Sequence, residues 1–482
     1  MRHWLHVDAP GGSTSNALLP ATSAVHLLPP PACDTIPPMS ATRRGFVGAL
    51  TAASYGRVLG ANDRIQLGFI GYGLIGARHL EDFKKMPDAD IAAVCDVYEP
   101  RVQAGVAASG GKAKGYRDFR RLLEDKSIQA VVVSTPDHWH ALNTILACAA
   151  GKDVYVEKPL TAFVAEGRWM TAAARRYKRV VQVGTQQRSG KHFQAAVDLI
   201  RSGYLGKVHS IRASSFRNIM PGFGRTPESD PPPGLDYDLW LGPAPKRPYT
   251  RHRALYHFRW FWDFAGGQMT NLGTHEIDIV HWAMQVKGPR QIASIGGRFA
   301  LEDDGETPDT QDAIFLYPGF SVVVSIREAC AGRGAPGFEF YGTKASLRIG
   351  RNGFEVFPEM RQPPENLIPP WSSPPGHPPR VDAKPVPWTK PVSAQGSTDE
   401  QMELHKRNFL DCVRSRNRPV ADVEEGHQVG AACHLANISM LVGRTLTWDA
   451  QNETIVGDPA AAKYLERPYR KPWDEVLRSL KL

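Results

Sequence analysis

Ile65-Gln66-Leu67-Gly68-Phe69-Ile70 runs directly into Gly71-Tyr72-Gly73-Leu74-Ile75-Gly76, and this junction decides the fold. The short apolar run reads as a buried strand, and residues 77–86 carry the spacing of an amphipathic helix. The turn between them has the G-x-G-x-x-G pattern, in which each glycine has a separate task. Gly71 permits the tight turn, Gly73 lets backbone approach a pyrophosphate, and Gly76 lets helix and strand pack closely. The phosphates would rest on the helix N-terminus, where free N–H groups and the helix dipole favour negative charge.

The surrounding pattern supports this reading. A second strand, residues 91–95, ends at Asp96, twenty residues after Gly76. A carboxylate there accepts hydrogen bonds from ribose hydroxyls and repels a 2′-phosphate, which favours NAD over NADP. Helices are then predicted over 116–124, 140–150 and 161–177, and strands over 130–134, 154–156 and 180–183. Such alternation means a doubly wound parallel sheet, with ligands at the carboxyl ends of its strands. Ser134, Thr135 and Pro136 fall at one such end, and Glu157, Lys158 and Pro159 at the next.

At 482 residues, two domains plus appendages are expected. The net charge of +9 is interleaved with acids and has no long basic run, so it reads as a solvated surface and not a nucleic-acid stripe. No apolar stretch is long enough for a transmembrane helix. None of the six cysteines has metal-ligand spacing, and buried free thiols are the favoured reading, with a single disulfide left open. Residues 1–38 are rich in Pro, Ser, Thr and Ala and are expected to be disordered, or to precede a true start at Met39. Within 39–61, Thr42-Arg43-Arg44-Gly45-Phe46-Val47 and the apolar residues behind it match a twin-arginine export signal. A periplasmic or otherwise exported location is therefore expected, with the cytoplasm as the alternative.

The second half has strand patterns at 207–216, 291–299, 313–316, 321–327, 338–341 and 345–349, separated by turn signals. Residues 357–395 are Pro-rich and predict a long loop. Helices return at 400–415 and 426–444, and 446–482 form a tail. The domain division is thus 62–185 for the dinucleotide domain and 186–445 for a substrate and oligomerisation domain.

These pieces together resemble the Gfo/Idh/MocA family, named for glucose–fructose oxidoreductase and inositol dehydrogenase. The resemblance rests on the glycine turn, Asp96, Ser134-Thr135-Pro136 with His140, Glu157-Lys158-Pro159, and Gly267-Gln-Met-Thr-Asn271-Leu-Gly-Thr-His275-Glu-Ile-Asp278. It covers about residues 62–450. It implies an α/β fold: an N-terminal Rossmann sheet followed by an α+β domain with a large, open, mostly antiparallel sheet. It also implies a homodimer or homotetramer formed through that sheet, and a tail that wraps the surface.

The implied chemistry is NAD-dependent hydride transfer at a secondary hydroxyl of a sugar, glycoside or polyol. Such a reaction needs a cation to ease ionisation of the hydroxyl and a base to take its proton. Lys158 is the candidate cation and, by the resemblance, the group that contacts the reacting hydroxyl. His275 is the candidate acid/base. The family pattern Asp-x-x-x-His is broken here by Asn271, which orients but cannot ionise. Three readings follow: a His/Lys pair suffices, another carboxylate substitutes, or alcohol oxidation is weakened. Gly71 to Gly76, Asp96, Ser134, Thr135, Pro136, His140, Glu157 and Lys158 are the expected cofactor residues. Arg188, Trp262 and Asp278 are candidate substrate contacts, with a salt bridge open for Arg188, a structural role favoured for Asp278 and plain packing favoured for most of the aromatic segment 221–264. His275, Asp278 and His281 lack a clean facing pair, so no metal is expected. Two alternatives stay open: glycoside cleavage by transient oxidation and elimination without net redox change, and a non-catalytic sugar or dinucleotide binder.

Overall fold

The computed structural model describes residues 64–332, 337–367, 375–376 and 381–482. The leader, the twin-arginine motif and Cys33 lie outside the described residues.

The first sheet contains β1 (Ile65–Ile70), β2 (Ala89–Cys95), β3 (Lys114–Tyr116), β4 (Ala130–Val133), β5 (Asp153–Val156) and β6 (Val181–Val183). Its order is β3-β2-β1-β4-β5-β6, and every pairing is parallel. The order reverses between β1 and β4, and that switch point opens a crevice at the strands' carboxyl ends. Helices α1 (Leu74–Lys84), α2 (Glu99–Ala108), α3 (Phe119–Glu124), α4 (Asp137–Ala149) and α5 (Val164–Arg176) connect the strands. Ala130-Val-Val-Val133 is buried throughout, as a strand covered on both faces must be.

The helix expected over 116–124 is two elements. Tyr116 closes β3, and the Asp118 side chain caps α3 by accepting from Arg120 N–H. The capping aspartate was the missed signal.

Helix α6 (Lys191–Arg201) leads into the second domain and β7 (Val208–Phe216). The long connection after it carries the short helix α7 (Tyr237–Leu241) and a 3-10 turn, His257–Trp260, before α8 (Gly267–Asn271) and α9 (Gly273–Met284). Strands β8 (Gln291–Gly297), β9 (Thr310–Tyr317), β10 (Phe320–Arg327), β11 (Phe338–Gly342), β12 (Ala345–Gly350) and β13 (Gly353–Pro358) follow. Most pairs in this sheet are antiparallel, but β7 and β10 run parallel at its centre. The Pro-rich stretch is more than a loop. It holds a small ribbon of β14 (Met360–Arg361) and β15 (Val386–Pro387), and β16 (Val392–Gln395) joins the sheet at β13. An edge strand takes its order from a neighbour's backbone, so apolar alternation in its own sequence is not required.

Helices α10 (Thr398–Ser415) and α11 (Val423–Val442) come next. Strands β17 (Leu446–Asp449) and β18 (Thr454–Ile455) complete a ten-stranded sheet. The chain ends through α12 (Pro459–Ala462) and α13 (Trp473–Ser479).

Core packing ties the late segments back to the first domain. Phe409, Leu410 and Cys412 of α10 join the core formed by β1, α1 and β5. Residues 446–455, expected as tail, belong to the sheet, and the end of the chain is anchored: Tyr469 and Trp473 are buried, with Trp473 edge-on to Trp139 at 4.8 Å. Cys95, Cys148, Cys412 and Cys433 are buried free thiols, whereas Cys330 is exposed. No helix among the described residues is long and apolar enough to cross a membrane.

Candidate active site

A cavity of about 380 Å³ opens at the switch point and extends under the connection between β7 and α8. Its two ends have different chemistry.

At one end lies the glycine turn. Gly71 has φ +91°, and a Cβ there would sit 2.8 Å from the Ser134 carbonyl, so only glycine keeps the two strand ends this close. A Cβ on Gly76 would lie 2.2 Å from the Gly71 carbonyl oxygen. Gly73 differs: the nearest atom to its Cβ position is Arg101 Nη1 at 3.7 Å. The space in front of it, at the start of α1, is an open cradle of the kind a phosphate fills.

Asp96 is buried beside this turn. Its carboxylate accepts from Tyr72 N–H at 2.8 Å and from Tyr98 N–H at 3.0 Å, which fixes its orientation. Burial pushes its pKa up, while the Arg101 charge and these two N–H groups pull it down. Gly73, Asp96, Ser134, Thr135, Pro136 and His140 all line the same cavity, so the residues present fit a dinucleotide. His140 also binds the Pro159 carbonyl at 2.7 Å and the Thr135 carbonyl at 2.9 Å, tying together two strand ends that form the floor.

Glu157 faces the cavity but is held by the protein. Oε1 lies 2.6 Å from His79 Nε2, and Oε2 accepts from Lys158 N–H at 3.2 Å. Burial raises its pKa, but the His79 hydrogen bond and the Lys158 charge outweigh this and leave it at about 2. It is an anchor for the lysine segment.

At the other end, Lys158 Nζ donates to Asn271 Oδ1 at 2.8 Å and to the Asn271 carbonyl at 3.0 Å. Asn271 Nδ2 in turn donates to Gln268 Oε1 at 2.9 Å, so the amide's oxygen is turned toward the lysine. Burial lowers the Lys158 pKa, and the Arg259 and Arg351 charges lower it further. His275 is buried one helical turn beyond Asn271, and its Nδ1 has no hydrogen-bond partner. Burial first, and then the charges of Lys158 and Arg351, push its pKa well below the usual imidazole range. The imidazole is therefore neutral at neutral pH, free of the extra proton that a general base must not already carry.

Three sequence candidates lie elsewhere. Arg188 and Asp278 form a buried ion pair at 2.8 Å and do not line the cavity. The salt bridge allowed for Arg188 and the structural role favoured for Asp278 are the ones observed. Trp262 also falls outside the cavity lining, with its backbone N–H bound to Glu306 at 2.9 Å. Of the aromatic segment, Trp240, Tyr256, Phe258 and Trp260 form the wall instead.

The structure adds Asp137, which sequence reasoning passed over. It opens α4, is 4% exposed and lines the cavity. Burial raises its pKa against the nearby charges of His140, Arg259 and Lys158. An acid in the first turn of a helix at a strand's carboxyl end was its available signal. Arg101, Arg217, Arg259 and Arg351 also reach the cavity, and no local motif marks them.

Fold and site define a two-domain protein with a dinucleotide crevice that opens onto a lysine and a histidine. Comparison with known proteins extends this. Residues 65–185 match an oxidoreductase family model with an NAD-binding Rossmann fold. Residues 196–293 and 393–475 match that family's C-terminal alpha/beta domain. The chain is 32% identical over 288 residues to a myo-inositol 2-dehydrogenase of Thermotoga maritima, covering 59% of this chain and 74% of that one. It is 26% identical over 222 residues to an inositol 2-dehydrogenase of Salmonella typhimurium. That second match covers 46% of this chain and only about half, 54%, of the relative. Among solved structures, the WlbA dehydrogenase of Bordetella pertussis, in complex with NADH and UDP-GlcNAcA, superposes with a TM-score of 0.58 at 19% identity. The match covers 80% of this chain and 99% of that one. The chain belongs to the Gfo/Idh/MocA oxidoreductase family, and its first domain is that family's NAD-binding Rossmann domain.

Proposed function

We propose that the protein oxidises or reduces a secondary hydroxyl of a sugar, glycoside or polyol with NAD. The observation that carries this is the convergence of Lys158, Asn271 and His275 on the cavity that also contains the glycine turn and Asp96. The inositol dehydrogenases among the relatives support the substrate class.

The nicotinamide, when bound, supplies the hydride acceptor. The chain's own residues do the rest. Asp96 and the turn orient the cofactor's adenosine and phosphates. Lys158, held by Asn271, lowers the cost of ionising the substrate hydroxyl, and neutral His275 takes the proton. The buried, aromatic-walled end limits water at the reacting carbon.

The test is NADH formation across a panel of inositols, hexoses and glycosides, with NAD affinity measured separately. Lys158→Ala should lower turnover by about 10² to 10⁴-fold with NAD binding retained. NAD binding with no Lys158-dependent turnover would instead favour the non-catalytic binder. Asn271, which removes an ionisable group from the site, gives weight to a second reaction: cleavage of a glycoside through a transient ketone. Aglycone released with NAD unconsumed would identify it.

Two further proposals accompany the activity. The open face of the ten-stranded sheet carries exposed Ile295, Ile314 and Leu316, which supports self-association through that face. Sedimentation of the wild type and of Ile314→Glu tests it, and a wild-type monomer would refute it. Export on the Arg43-Arg44 motif is tested by cell fractionation, where retention of Arg43→Lys/Arg44→Lys in the cytoplasm is the expected result.

A further inference from the structure

Positive charge is distributed unevenly along the cleft. Arg101 faces Asp96, and Arg217 is ion-paired with buried Glu328. Arg259 and Arg351 line the cavity too, but neither forms an ion pair with any described residue.

Both are nevertheless held in place. Arg259 sits on the 3-10 turn with its guanidinium 4.6 Å over Phe258 and 5.6 Å over Tyr256, and Nη1 donates to the Tyr256 carbonyl at 3.1 Å. Its remaining N–H groups have no protein acceptor among the described residues. Arg351 lies at the tip of the β12–β13 hairpin, whose backbone is fixed on three sides. His192 binds the Gly350 carbonyl at 3.0 Å, Gln401 donates to the Arg351 carbonyl at 2.9 Å, and Gly396 N–H donates to the Asn352 carbonyl at 2.9 Å.

Both arginines line the cavity that Lys158 enters, so three cations share it. Glu157, ionised and held by His79, offsets the lysine but leaves the two arginines without an ion-pair partner among the described residues. Burial pushes the pKa of Asp137 upward and that of Glu276 to about 7, which weakens both as counter-charges. Asn271 stands where a carboxylate would have neutralised Lys158. The cofactor's phosphates belong at the Gly73 cradle and leave the two arginines unpaired. Lys158 is part-buried, Arg259 half-buried and Arg351 exposed at the rim, and like charges gathered along one cleft favour a ligand of the opposite sign. A guanidinium fork matches a planar carboxylate or a phosphate.

We propose that the substrate is a sugar bearing an anionic group, a uronate carboxylate or a sugar phosphate, and that Arg259 and Arg351 receive that group. This rests on the oxidoreductase reading only for the reaction that follows binding.

The test is calorimetric titration of the NAD-loaded protein with matched sugars of the gluco, galacto and manno series. Each series contains the neutral methyl glycoside, the corresponding methyl uronide and the 6-phosphate. At least one anionic member should bind about tenfold or more tightly than its neutral partner, as expected for a charge-assisted contact. Arg259→Gln and Arg351→Gln should each remove most of that advantage and leave the thermal midpoint unchanged. A uronide preference assigns the anion to a carboxylate, and a 6-phosphate preference assigns it to a phosphate. Neutral sugars that bind as tightly, anionic binding insensitive to both substitutions, or no anionic binding at all would each overturn the proposal. Anionic binding without any NADH would overturn the redox reading and leave this site standing. Arginine-independent turnover of neutral sugars would do the reverse.

Discussion

At the cofactor end of the cleft, the turn and the carboxylate come from one continuous stretch, residues 65–96, and each is restrained by backbone. Asp96 is held by two N–H groups, and Gly71 is fixed by a steric limit of 2.8 Å against Ser134. At the substrate end, Lys158, Arg259, Asn271, His275 and Arg351 come from both domains and from a hairpin tip. There the lysine is restrained by a side-chain contact with Asn271, and Arg259 and Arg351 have no ion-pair partner among the described residues. The first end is prepared for a ligand shared by many enzymes. The second draws its residues from distant segments, and of these Arg259 and Arg351 belong to no short motif.

The strongest way to break this contrast is Gly71→Ala. Positive φ and the carbonyl contact together should cost on the order of 2 kcal/mol, equivalent to roughly thirtyfold weaker NAD binding by titration. Unchanged NAD affinity would show that the turn is not the rigid element described here.

Asn271→Asp sharpens the other end. A carboxylate in place of the Oδ1 that lies 2.8 Å from Lys158 Nζ favours the ammonium form and raises the lysine's lowered pKa. Any step in the pH–rate profile that follows Lys158 should move to higher pH by about one unit or more. A step that stays in place would assign it to another group.

The smallest effect is expected at Glu157, where the ends meet. Its folded pKa of about 2 lies below the ordinary carboxyl value of 4.5. The stability it contributes is therefore present above pH 4.5 and is lost as pH falls toward 2. Glu157→Gln should lower the thermal midpoint by a few degrees at pH 7 and flatten its acid dependence between pH 5 and 2. An unaltered acid limb would mean that the His79–Glu157 contact is not maintained in solution.

Much of the first domain was legible because its signals are local. A glycine pattern, an apolar run and an acid at the end of the second strand each follow from neighbouring residues, and each reappears in the parallel sheet. Tyr116 and the 357–395 segment were misread for one reason. Short edge strands take their hydrogen bonds from partners distant in sequence and need no periodicity of their own. Arg188 and Trp262 looked chemical in isolation. Their partners, Asp278 at ninety positions' distance and the Glu306 carboxylate, are known only after folding.

By itself, the sequence determined the dinucleotide fold, the preference for NAD written into Asp96, and the lysine and histidine of the site, because each depends on residues close in the chain. Tertiary structure alone decided that Asn271 holds Lys158, that Asp137 faces the cleft, and that two arginines from separate segments line the same cavity. Those facts depend on distances between segments up to two hundred residues apart, which only packing brings within hydrogen-bonding or Coulombic range.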